Sequence, residues 1–374
     1  MNFGKRRKEG KMELQKFLME HKDNWEELLT SEPYNLKVNR WGGYVSFKYS
    51  QIESDLSQKI VQEARGCLFR EKNWKCVCRA FDKFFNYGET NASSIDWKTA
   101  KVFQKIDGSL IKIFYDEGQW YIVTNSGLNA FDANTGNVLY PTFGNLFIKG
   151  IEIIGFKDFK EFSKTLDPSY TYMFELVSPY TRVVIPYEDI KIYYLGQRKM
   201  DNFEEEYSPN NFIGFQFPKE YSANNLNDII QMAEDLPWDE EGYVVRDKCF
   251  NRIKVKSPAY VSAHYMRNNN VITDERLMEI ILKGEIEEFI CYAEEYAPKL
   301  FELQNKKITL QEEAEKVREI LSTQFCFDSR KEYASIVNKI LNPTIRQFCF
   351  SSLDWEEMTK DWSARKWVEK LNSR

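Results

Sequence analysis

Histidine is nearly absent from this chain: His21 and His264 are the only two in 374 residues. A zinc hydrolase with several imidazole ligands is therefore excluded, and a Ser-His-Asp triad is hard to build. Proton transfer and nucleophilic attack fall to Lys, Asp, Glu, Tyr or Cys. No apolar run approaches the roughly 20 residues of a membrane span. The basic start Lys5-Arg6-Arg7-Lys8 has no hydrophobic segment behind it, so it reads as a disordered tip rather than a secretory signal, and Met12 is a second candidate start. Excess positive charge is also missing. With 52 basic and 57 acidic residues the net charge is −5, which excludes a cationic coat for nucleic acid but leaves room for a local basic groove. The seven cysteines are odd in number and form no paired CxxC clusters, so reduced thiols in a cytoplasm are expected. Cys76 and Cys78, alternating on a strand, read as small buried hydrophobes.

What the chain does have changes character near residue 265. At roughly 150 residues per domain, its length and its 43% hydrophobic content suit two or three globular domains. From Val38 to Val261, β-branched and aromatic residues alternate in short runs such as Tyr44–Phe47, Ile111–Tyr115, Trp120–Thr124 and Tyr243–Arg246. Asp116-Glu117-Gly118 lies between two of these runs and predicts a hairpin. No regular βαβ alternation is present, so the sheet is expected to be antiparallel. After Asn268-Asn269-Asn270 the apolar spacing turns helical through Leu277, Ile280, Ile281, Phe289, Leu310, Ala314, Val317 and Leu321. The expected fold class is α+β, with a sheet-rich domain over 1–267 and an all-helical domain over 268–374. Trp355, Trp362 and Trp367 in the tail either pack a core at helical spacing or stack on nucleic-acid bases.

The residues that suggest chemistry centre on Lys105-Ile106-Asp107-Gly108-Ser109-Leu110. Strand-like runs flank it, and a lysine just before an Asp-Gly turn sits at the rim of a sheet. The glycine is expected to let the backbone turn sharply and approach a ligand. Glu175 then falls inside an apolar strand, and Glu241-Gly242-Tyr243-Val244 opens another. Arg252-Ile-Lys254-Val-Lys256 places Lys254 and Lys256 on one face, because strand side chains alternate with period two. Upstream, Arg65 ends a helix-like segment and begins a strand. Each element alone has a bland reading as a salt-bridged carboxylate, a solvated strand face or a simple turn. Their occurrence in this order is what gives them weight.

The set resembles the covalent nucleotidyltransferases of the ligase and capping-enzyme superfamily, and within it the bacteriophage T4 RNA ligase 1 family. Asp82-Lys83-Phe84-Phe85-Asn86, Lys105-x-Asp-Gly-Ser-Leu, the run from Glu175 through Arg182 to Tyr187, and Arg252-Ile-Lys-Val-Lys-Ser257 carry that resemblance. It implies an N-terminal adenylyltransferase domain of ATP-grasp-like antiparallel nucleotidyltransferase type. It also implies an ATP-dependent RNA ligase. The Lys105 amine would take AMP from ATP and pass it to an RNA 5′-phosphate, and a 3′-hydroxyl would then displace the AMP. Mg²⁺, with Mn²⁺ as a substitute, would be the metal. By the same resemblance Glu175 holds the ribose, Glu241 places a hydrated metal, and Lys254 and Lys256 hold the α-phosphate. Arg65 reaches a phosphate or the ribose, Tyr49, Lys83 and Phe85 lie near the nucleotide, and Val244 presses the base. Glu287, beside Glu288, is a candidate second metal ligand, against the plainer reading of a solvated helix face.

Physics suits the casting. A lysine attacks only when unprotonated, although its free pKa is roughly 10.4, and nearby cations disfavour its charged form. Phosphoryl chemistry depends chiefly on positioning and charge stabilisation, which clustered Lys, Arg and Mg²⁺ supply. The chain departs from the family where further lysines can follow the lysine motif; here Thr124, Asn125 and Ser126 stand instead. The expected partner is RNA with 5′-phosphate and 3′-hydroxyl ends, with nicked tRNA as a candidate. A monomer in a bacterial or virus-infected host cytoplasm is expected. A DNA ligase or an mRNA guanylyltransferase usually appends an OB-fold after the lysine-pair strand, and a helical tail argues against both. A degenerate module that only grips RNA ends is the remaining alternative.

Overall fold

The computed structural model describes residues 12–51, 53–209, 212–265, 272–290, 293–323 and 329–372. The chain divides into two units, Met1–His264 and Tyr265–Arg374. The expected boundary at 267/268 and the basic tip at residues 5–8 lie outside the described residues.

In the first unit the alternating runs form β1 (Leu36–Trp41), β2 (Tyr44–Tyr49), β3 (Arg65–Arg70), β4 (Cys76–Cys78), β5 (Phe85–Asn86), β6 (Lys101–Gln104) and β7 (Ser109–Asp116). They continue as β8 (Gln119–Thr124), β9 (Tyr170–Val177), β10 (Lys191–Lys199), β11 (Glu205–Glu206), β12 (Glu220–Tyr221), β13 (Gly242–Arg246) and β14 (Arg252–Lys256). Three sheets result, in the orders β1-β2-β3-β4, β11-β10-β9-β7-β8 and β12-β6-β13-β14-β5. Among these pairings only β14 with β5 is parallel. The expected hairpin joins β7 to β8 with Asp116 opposite Gln119. Its two turn residues, Glu117 and Gly118, have φ of 45° and 89°, which suits the right-handed twist of the flanking strands.

Period two decides what each sheet buries. In the second sheet Ile111, Ile113, Phe174, Leu176 and Tyr194 turn towards Leu146, Phe147 and Ile151 of the helix Phe143–Ile154. Leu110, Met173 and Glu175 alternate with them and therefore occupy the other face. In the third sheet Val102, Tyr243, Val245, Ile253 and Val255 pack with Ile229 and Ala233 of the helix Leu226–Glu234. Phe103, Val244, Arg246, Arg252, Lys254 and Lys256 take the opposite face. The two leftover faces supply the walls of the cavity described below.

In the second unit every regular element among the described residues is helical, from Asp274–Lys283 to Ala364–Asn372. Its longest helix, Ala297–Thr323, buries Leu300, Leu303, Leu310, Ala314 and Leu321. Trp355, Trp362 and Trp367 are 3%, 6% and 2% exposed and pack edge-on or tilted against one another at 4.9–6.3 Å. Their rings are core, and the alternative of stacking on bases is overturned by that burial.

Candidate active site

The lysine motif is fixed from several directions. Lys105 leaves β6 with its backbone N–H donating to the Gly242 carbonyl at 2.8 Å. Asp107, 5% exposed, accepts from the backbone N–H groups of Val184 (2.9 Å) and Ile185 (2.8 Å) and from the Tyr260 hydroxyl (2.9 Å). One carboxylate thus ties the motif to the segment after β9 and to the helix Pro258–Tyr265. Gly108 is needed for a reason other than turning. A Cβ there would lie 2.7 Å from the Leu176 carbonyl oxygen and 2.9 Å from Glu175 Cγ. The absence of a side chain lets β9 bring Glu175 against the motif.

Glu241 is the electrostatic hub. It is 4% exposed, with Oε1 2.7 Å from Lys105 Nζ and 3.6 Å from Lys256 Nζ. Its second oxygen, Oε2, is buried without a hydrogen-bond partner. Gly242 makes this placement possible: its φ is +134°, and a Cβ would sit 2.2 Å from the Val255 carbonyl oxygen. An L side chain would force β13 off β14 and pull Glu241 away from both lysines. On the opposite wall, burial pushes the Glu175 carboxyl up to about 8, with Lys105 pulling it down and Glu241 adding to the rise.

Arg65 opens β3 beside this pair. Its guanidinium lies 5.6 Å from the Phe84 ring centroid, and its Nη1 is buried without a partner. Next to it, Gly66 adopts φ +67° and meets the backbone of Asn125 so closely that a Cβ would overlap the carbonyl oxygen. Lys112, fully buried on β7, donates to the carbonyls of Gly66 and Asn125 and ties β3 to the end of β8. Burial lowers the pKa of Lys112, and the charge of Arg65 acts in the same direction.

Between the second and third sheets lies a cavity of about 300 Å³. That is the lower end of the range for small-molecule pockets. Lys105, Arg65, Glu175 and Val244, all singled out in the sequence, line it together with Gly108. Lys256 joins them through Glu241, and Lys254 lies opposite Val244 in the β13–β14 register. Tyr49, Lys83 and Phe85 are brought together elsewhere: the Lys83 ammonium sits 5.3 Å from the Tyr49 ring and 5.2 Å from the Phe85 ring. They do not line the cavity. Phe84 takes the wall position expected of Phe85, because adjacent residues face opposite ways and Phe85 is buried in the sheet beside Ile253. Glu287 is exposed on the helix Ile286–Ile290. Among the described residues no three metal-capable side chains come together.

Sequence reading missed the wall residues Phe81, Phe103, Leu195, Tyr207 and Arg246, and it quoted Asn125 and Arg252 without giving either a place at the site. Alternation from Lys105 back to Phe103, and from Val244 on to Arg246, was a usable signal for two of them.

A family model described as RNA ligase, of the T4 RNA ligase 1 type, matches residues 63–260, which is more than half of the chain and runs from just before Arg65 to Tyr260. The chain belongs to this RNA ligase family. The RNA ligase of Rhodothermus phage RM378 is 27% identical over 352 residues, covering 75% of this chain and 77% of its own length. A protein of Autographa californica nuclear polyhedrosis virus, named as a bifunctional polynucleotide kinase/RNA ligase, is 29% identical over 258 residues. That match covers 65% of this chain but only 36% of the viral protein. RNA ligase 1 of bacteriophage TS2126 is 26% identical over 147 residues, 37% of this chain and 35% of its own. This family member therefore spans about a third of the length of two of these relatives and about three quarters of the third.

Proposed function

We propose that the chain is an ATP-dependent RNA ligase whose first step is transfer of AMP to Lys105. The observation that carries this reading is the arrangement of Lys105 and Lys256 around one oxygen of Glu241, beside the cavity that Lys105 lines. The Lys105 amine, having lost its proton, attacks the α-phosphorus. A P–N bond forms, the bond from the α-phosphorus to the bridging oxygen breaks, and pyrophosphate leaves. Lys254 and Lys256 face the charge that builds on the α-phosphate, where fixed cations lower the barrier most. Glu175 accepts from the ribose hydroxyls, and the unpaired Arg65 Nη1 donates to the ribose or phosphate. Val244 supports the base. The AMP then passes to an RNA 5′-phosphate, and an RNA 3′-hydroxyl attacks that activated end, forming the phosphodiester and releasing AMP.

The residues present fit a divalent cation. Mg²⁺ takes one or two carboxylates with waters and substrate phosphates, and Glu241 offers a buried oxygen with no partner. Mg²⁺, or Mn²⁺ in its place, supplies positive charge to the phosphates when bound. Nicked tRNA is the substrate class to test first, in keeping with the family. The cysteines Cys67, Cys76, Cys78, Cys249 and Cys349 are free, which suits a reducing cytoplasm, and among the described residues no helix is long and apolar enough to cross a membrane.

The test is incubation with α-labelled ATP and Mg²⁺. The expected result is a covalent protein–AMP adduct, absent in Lys105→Ala, with label passing to RNA bearing a 5′-phosphate. Label that appears only with GTP, or that persists in Lys105→Ala, overturns the reading.

A further inference from the structure

The end of the cavity away from Lys105 holds a cation whose N–H groups have no acceptor among the described residues. Arg246 closes β13 on the cavity face, two residues beyond Val244 and opposite Arg252 in the β13–β14 register. Its guanidinium is enclosed by three rings, 4.7 Å from the centroid of Phe103, 4.9 Å from Tyr207 and 5.0 Å from Phe250. Among the described residues no carboxylate, carbonyl or hydroxyl accepts a hydrogen bond from it. The nearby carboxylate, Glu205, is already engaged by Arg198 and by Arg252 at 2.5 Å. Arg252 also donates to the Phe250 carbonyl at 3.1 Å, so its donors are largely committed, whereas those of Arg246 are not. Burial and the adjacent Arg252 bring Arg246 down to about 10, which leaves it charged at neutral pH.

A guanidinium has five N–H donors and no acceptor. Aromatic faces attract its charge but use none of those N–H groups. With no acceptor in the chain, those N–H groups open on the cavity, where a bound ligand can replace water as their acceptor. Geometry says which part of the nucleotide supplies it. Gly242 and Arg246 are four residues apart on one strand, roughly 13 Å at 3.3 Å per residue. With its phosphate at Lys105, a nucleotide laid along β13 puts its base over Val244 and the far edge of that base towards Arg246.

We infer that Arg246 is the base-reading residue of the cavity and donates a hydrogen bond to a ring nitrogen of the purine. The inference rests on the nucleotide site proposed above. Adenine offers ring-nitrogen acceptors, whereas its exocyclic amino group is a donor that a guanidinium cannot use. Arg246 thus acts on nucleotide affinity, well removed from the reacting atoms.

The experiment measures Lys105 adenylylation with ATP, 1-deaza-ATP, 3-deaza-ATP and 7-deaza-ATP, in the full chain and in Arg246→Met. Methionine keeps an apolar side chain among the three rings. In the unmodified protein one analogue should raise KM by roughly tenfold or more, as expected for a lost hydrogen bond to a charged group. Arg246→Met should raise KM for ATP by a similar factor, leave the maximal rate little changed, and be indifferent to that analogue. Arg246→Lys keeps the charge with one compact donor group, so the analogue penalty should shrink; it also serves if the methionine variant does not fold. A residue that only packs the rings would alter stability but leave the analogue penalty intact. The same penalty in Arg246→Met as in the unmodified protein, or indifference of the unmodified protein to all three analogues, overturns the inference. Failure of the unmodified protein to form an adduct with ATP overturns the proposed function, and this inference falls with it.

Discussion

Glu175 shows how a single half-buried carboxyl on the cavity wall links the fold to the solution pH. Burial raises it from an ordinary value of 4.5 to about 8, against the pull of Lys105. Between these two values the folded protein holds a proton that the unfolded chain has lost. Stability from this group is therefore full below pH 4.5, falls as pH rises through the window, and is gone above about 8. Glu175→Gln removes the titration. In thermal melts, the Tm of the variant relative to the parent should rise by roughly 5 °C between pH 5 and pH 8. A difference that stays constant with pH would show that the carboxyl is not held in the environment described. Glu175 itself was legible as a carboxylate inside an apolar strand. The role of Gly108 was not: its sequence context suggests freedom to turn, whereas its surroundings show that a side chain would strike β9. Crowding by residues almost 70 positions away leaves no local mark in a sequence.

Elements rather than single residues set the relation of Arg65 to Asn125. Lys112 joins the start of β3 to the end of β8 through two carbonyls, from a position with no exposed surface. In Lys112→Met two effects oppose each other. The carbonyls lose their donor, at about 1–3 kcal/mol, while the desolvation of a buried charge is relieved. The net change in urea unfolding should stay below about 2 kcal/mol. Adenylylation should nevertheless fall by roughly tenfold or more, because a displacement of about 1 Å at a positioning group costs far more in rate than in stability. Unchanged adenylylation in a destabilised variant would assign Lys112 a purely structural part. The strands themselves were largely legible, including the β7–β8 hairpin with its Asp-Glu-Gly turn. What alternation did not reveal was which strand would face which. The cavity joins β7, β9 and β10 of one sheet with β6, β13 and β14 of another, and that meeting depends on packing of both sheets against their helices.

At the scale of the whole molecule, the sheet-rich unit contains separate clusters of buried side chains behind each wall of the site, and the helical unit has its own core of leucines and tryptophans. We propose that the helical unit selects structured RNA, while AMP transfer to Lys105 belongs to the first unit. Removing residues 268–374 should then leave formation of the protein–AMP adduct within a few-fold of the full chain, while sealing of nicked tRNA falls more than sealing of simple single strands. Equal losses on the two RNAs would remove the support for a selective role. The change of pattern near residue 265 was evident from helical spacing alone. The burial of Trp355, Trp362 and Trp367 was not decided by it, since the same spacing suits a core or an aromatic binding face.

The shared oxygen of Glu241 has a consequence for the order of events at Lys105. The 2.7 Å contact with that oxygen fixes where the Lys105 amine sits in the cavity. On the function proposed above, freeing Lys105 for attack requires that the charges around this carboxylate rearrange when the nucleotide and its cation bind. The contact that positions Lys105 is therefore also one that the proposed reaction has to break.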